Sequence, residues 1–152
     1  MVDPAMYAEL PAFTSRGGQF LAYITDLLRT AMKSRSAPPS EREKWGPIIL
    51  DEGWTIVPNK LIMDQSRLGI SPLEMCALLH MMRFWWDVKK PPFPSVEKTA
   101  KEIGVPEEDL HEAISSLKKK NLIQVIDRGA GSKAYGLTFL RSRLAEGAEY
   151  NA

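Results

Sequence analysis

The chain has 152 residues, 44% of them hydrophobic and 26% charged, and a formal net charge of +1. These values are ordinary for a globular domain with one core, and they leave no global field to draw the molecule onto nucleic acid or an anionic membrane. Cys76 is the single cysteine, which excludes an internal disulfide and a thiolate metal site within one chain and fits a reducing cytoplasm.

The opening stretch MVDPAMYAELPAF has no basic start followed by an apolar core, so no signal peptide is expected. No apolar run approaches the roughly 20 residues that span a bilayer, so no membrane partner is expected either. The first periodic segment is QFLAYITDLLRTAMKS, from Gln19. On a helical wheel Phe20, Tyr23, Ile24, Leu27, Leu28 and Ala31 share one half, and Thr25, Asp26, Arg29 and Lys33 the other. This predicts an amphipathic surface helix whose apolar face packs on the main domain or on a second copy. SRSAPPSEREKWGP follows, polar and aperiodic, and reads as a linker. IILDEGWTIVPN reads as two short strands turning at Asp51-Glu52-Gly53.

Ser71-Pro72-Leu73-Glu74 combines an N-cap serine, a proline at the first helical position and a glutamate at the third. The helix it opens is expected to run through Asp87. Cys76, His80, Arg83 and Asp87 form a narrow polar stripe on it, and the rest of its surface is apolar, which predicts cover on two sides. VKKPPFP stops that helix. Ser95 caps a short helix that Gly104 ends in the left-handed conformation, and Pro106 starts the next, with Leu110, Ala113, Ile114 and Leu117 as its buried face. Two strands, LIQVIDR and KAYGLT, are joined by Gly129-Ala130-Gly131-Ser132. A short frayed helix, FLRSRLAEGAEYNA, ends the chain. The expected fold class is α+β, mainly α. Residues 1–47 form a helical extension and linker, 48–146 the folded domain, and 147–152 a disordered tail.

The order hairpin, long helix, short helix, glycine turn, helix, hairpin, short helix resembles the winged helix-turn-helix family of prokaryotic transcription regulators and of plasmid and phage replication initiators. WTIVPNKLIMD, the FPS before the short helix, EKTAKEIGV and AISSLKKKNLIQVIDR carry the resemblance, over residues 54–140. It implies that the second helix of the motif enters the major groove of double-stranded DNA. The positions it assigns to base reading are Glu107, Glu108, Asp109, His111, Glu112 and Ser115, where the family usually has Ser, Thr, Arg or Gln. A lone carboxylate accepts a hydrogen bond from cytosine, but several together face a polyanion.

The cations are displaced to the rim of this helix. Lys98 and Lys101 lie on the short helix, Lys118, Lys119 and Lys120 end the second one, and Arg128 and Lys133 flank the hairpin tip. One expectation is therefore a homodimeric DNA-binding protein that grips phosphates through these residues, with His111 and Ser115 nearest the bases. The other is a protein-interaction module that presents Glu107, Glu108 and Glu112 to a basic partner. Acids in the first turn and lysines in the last also complement the helix dipole without any partner.

No enzyme is expected. There is no Gly-rich phosphate loop, HExxH or nucleophile elbow. Cys76 and His80 have ligand spacing, but His111 is the only other histidine, so no metal or other cofactor is expected.

Overall fold

The computed structural model describes residues 37–146. The amphipathic segment from Gln19 and the tail 147–152 lie outside them. The described residues fall into two units, divided between Gly53 and Trp54.

The first unit holds two short helices, α1 (Pro39–Trp45) and α2 (Pro47–Leu50). Both start on a proline, whose fixed φ suits the first turn and whose missing N–H has no helical partner there anyway. Lys44 pairs with Glu41 at 2.9 Å, one turn apart, and Gly46 separates the helices at φ +79°. Two expectations are corrected here. The segment read as a linker is partly helical. The first strand of the expected hairpin is α2, and Trp54–Pro58 is irregular and not a strand.

The second unit carries the core. After α3 (Asn59–Met63), a turn ending at Ile70 leads into α4 (Pro72–Arg83). The capping box forms as the sequence requires: Glu74 N–H donates to Ser71 Oγ at 3.2 Å and Ser71 N–H to Glu74 Oε2 at 2.7 Å. α4 stops at Arg83, four residues short of Asp87, so Asp87 leaves the polar stripe. Instead, Asp87 closes a tight turn: its carbonyl accepts from Lys90 N–H at 3.0 Å and its Oδ1 from Lys89 N–H at 2.9 Å.

α5 (Val96–Ile103) is capped by Ser95 and ends at Gly104 with φ +83°. α6 (Glu107–Lys119) follows after the extended Pro106, which stands just before the helix. β1 (Gln124–Gly129) and β2 (Ser132–Gly136) form a two-stranded antiparallel sheet with a bulge between Asp127 and Gly129. The tip uses three consecutive positive φ angles, at Gly129, Ala130 and Gly131. α7 (Thr138–Glu146) ends the unit.

Leu61, Leu78, Met81, Leu110, Leu117, Leu122, Ile123 and Leu137 are almost fully enclosed and form the centre of the core. α6 contributes the face anticipated from its spacing, Leu110, Ala113, Ile114 and Leu117. The described architecture is mainly helical with one small sheet, an α+β arrangement.

Candidate nucleic-acid interface

With Leu110, Ala113, Ile114 and Leu117 turned inward, the opposite face of α6 is fixed by helical geometry. It presents Glu107, Glu108, His111, Glu112, Ser115, Lys118 and Lys119, all exposed. Asp109 is exposed beside them. The helix is therefore graded along its length, acidic at its start, neutral at Ser115 and cationic at its end. Pro106 supplies no side-chain cap, and the acids of the first turn stand where the helix dipole favours negative charge. None of the ion pairs among the described residues uses Glu107, Glu108, Asp109 or Glu112.

The cations differ in availability. Lys101, Lys118 and Lys119 are exposed. Lys98 is exposed as well, with its ammonium 4.0 Å from Glu102 Oε1. Lys133 stands opposite Asp127 in the register of the hairpin. Lys120 belongs to the scaffold: Nζ donates to both carboxylate oxygens of Glu74 at 2.8 Å and also to the Gly69 carbonyl. A lysine held by a buried carboxylate and a carbonyl has no freedom to follow a phosphate, which removes Lys120 from the cationic rim.

Glu74 is only 2% exposed. Burial alone would push its carboxyl up, but hydrogen bonds from Lys120, Ser116 and the Ser71 backbone outweigh this and hold it below its ordinary value. Sequence reading finds Glu74 as a capping residue and Lys120 as a surface cation. Their union across the α4–α6 interface carries no local signal. The polar stripe of α4 is likewise resolved. It meets α5, where Arg83 Nη1 donates to Glu102 Oε2 at 3.0 Å and His80 Nδ1 lies 3.3 Å from the same oxygen. His80 Nδ1 is buried without a hydrogen bond of good alignment. Among the described residues no three His, Cys, Asp or Glu side chains gather at metal-binding distances.

Arg128 is the residue that the bulge inserts between the Asp127–Lys133 and Gly129–Ser132 pairs. Its guanidinium lies 3.8 Å from the centroid of the Phe93 ring. Phe93 sits in Pro91-Pro92-Phe93-Pro94, and the buried Pro92 offers its carbonyl to Tyr135 N–H of β2 at 2.8 Å. The proline stretch is thus built onto the outer edge of the sheet. Sequence reading takes it as a helix stop and assigns Phe93 no contact with nucleic acid. The signal is present all the same: a large aromatic between prolines, next to Lys89 and Lys90.

No family model matches the chain, and no curated protein matches it. Among solved structures it is similar to the N-terminal domain of DnaD protein from Geobacillus kaustophilus HTA426. The TM-score is 0.54 and the identity 23%, over 76% of this chain and 94% of that one. At that identity the likeness speaks to the fold alone. No described helix is long and apolar enough to cross a membrane.

Proposed function

We propose that residues 48–146 act as a winged helix-turn-helix domain that binds double-stranded DNA, in replication initiation or in transcription regulation. α5 and α6 are the helix-turn-helix, the β1–β2 hairpin is the wing, and two copies pair through the apolar faces expected of residues 19–33 and 72–86. The protein is a cytoplasmic binding protein, not an enzyme. Lys98, Lys101, Lys118, Lys119, Arg128 and Lys133 contact phosphates, and His111 and Ser115 lie nearest the bases. The observation that carries this reading is the separation of charge. Exposed cations stand on α5, at the end of α6 and at the hairpin tip, while the carboxylates of α6 are confined to its first two turns. Such a rim binds a duplex through its backbone and leaves base reading weak.

The test is fluorescence anisotropy of a labelled random duplex from low to physiological salt. Affinity should fall steeply with salt. Arg128→Ala with Lys133→Ala should flatten the log–log slope by about one unit for each phosphate that the variant no longer neutralises. Absence of binding at low salt sinks the reading. A second reading, docking of a basic protein partner, is favoured by the carboxylates of Glu107, Glu108 and Glu112, which no cation among the described residues neutralises.

A further inference from the structure

The Phe93–Arg128 pair is not accounted for by phosphate binding alone. A wing arginine that only follows phosphates is better left extended in solvent, yet here the guanidinium is laid over an aromatic ring. Phe93 is 58% exposed despite its size, so burial does not explain its presence. The support beneath it is stiff. Prolines flank it on both sides, Pro92 is buried, and the Tyr135 amide anchors the Pro92 carbonyl. The same loop carries Trp86, also 58% exposed, and between the two aromatics the Asp87 turn holds Lys89 and Lys90 outward. The charged groups of this loop and hairpin tip are Lys89, Lys90, Arg128 and Lys133 against Asp87 and Asp127. The two carboxylates are engaged by backbone amides, Asp87 by Lys89 N–H and Asp127 by Gly129 N–H.

Planar groups on a rigid base, bordered by cations, are what an unpaired nucleotide binds. Its base stacks on an aromatic or guanidinium plane, and its phosphates meet ammonium groups. A duplex offers no free base faces except at its ends. We infer that the Phe93–Arg128 platform binds single-stranded DNA, the base stacking there and the flanking phosphates held by Lys89 and Lys90. Together with the duplex-binding surface proposed above, on which this extension rests, the platform directs the protein to the junction where a duplex opens into a single strand.

The full chain is titrated against a labelled oligothymidylate of about 20 nucleotides and, separately, against a blunt duplex. Phe93→Ala should weaken oligothymidylate binding about tenfold or more, the loss expected of one stacked base. Phe93→Tyr, which keeps the ring, should restore it, and Phe93→Ala should change duplex affinity far less than oligothymidylate affinity, since Arg128 is one of several phosphate contacts there. Phe93 is largely exposed, and matching thermal melts of the variants exclude a folding defect as the cause. Wild-type protein that ignores oligothymidylate at low salt overturns the inference, as does Phe93→Ala that binds it undiminished. If the duplex fails to bind while oligothymidylate binding depends on the Phe93 ring, the platform stands and the duplex reading falls. If duplex binding depends on Lys98 and Lys133 while Phe93→Ala changes nothing, the reverse holds.

Discussion

Lys120 and Glu74 show how the same residue types divide between scaffold and surface. A carboxylate this deeply enclosed is tolerated only because an ammonium and two further donors meet it. Removing either partner leaves the other poorly satisfied. Lys120→Met and Glu74→Gln should each cost about 2 kcal/mol at neutral pH, below the usual figure for a fully buried pair because Lys120 keeps some solvent exposure. Urea unfolding measures it. The pH dependence has a fixed sign. The Glu74 carboxyl is held below its ordinary value of 4.5, so its contribution is fully present above that value and is lost as pH falls through the lower folded value. The gap between wild type and Glu74→Gln should therefore close in that acidic window. An unchanged gap would mean that the ion pair is not the source of the difference.

α6 is the element on which the two functional readings part. If it lies against DNA, its acidic start opposes the phosphates at close range. Glu108→Gln with Glu112→Gln should then tighten duplex binding several-fold while leaving the helix folded, since both side chains are exposed. Duplex affinity that does not respond would place that end of the helix away from DNA and favour the protein-partner reading. The elements best foreseen are those whose boundaries are set by local chemistry. Ser71 and Glu74 fix the start of α4, Ser95 the start of α5, and Gly104 its end. The failures have two physical roots. Pro39 and Pro47 lie in the stretch read as a linker, although a proline at the first helical position opens a helix. Conversely, apolar periodicity carries the expected α4 through Asp87, where the backbone turns back because Asp87 pairs with Lys90 and Pro92 joins the sheet edge. Those partners are distant in sequence or lie in a loop without a period, so no window of the sequence contains them.

At the scale of the whole molecule, residues 54–146 hold nearly all of the core of the described residues, with α4, α6 and the hairpin contributing to a single cluster. A fragment beginning at Trp54 is expected to fold alone and to unfold in one cooperative step in urea, with a slope appropriate to a domain of about 100 residues. Broad or multi-step unfolding of the fragment would show that residues before Trp54 complete the core. The net charge of +1 conceals the candidate site, because a sum does not show the separation of acids from lysines along α6. The order of elements makes the cationic rim legible. The aromatic platform is not legible in the same way, since it joins Phe93 to Arg128 across 35 positions of chain.

The bond from Tyr135 N–H to the Pro92 carbonyl also bears on motion. β2 has only one neighbouring strand, and an amide on the free edge of such a strand ordinarily trades its hydrogen with solvent quickly. Here that amide is closed off by the carbonyl of the buried Pro92, so its exchange with deuterium requires the proline loop to lift away. The loop and the hairpin are thereby joined into one opening unit. Slow exchange at Tyr135 reports how long Phe93 stays in place beneath Arg128.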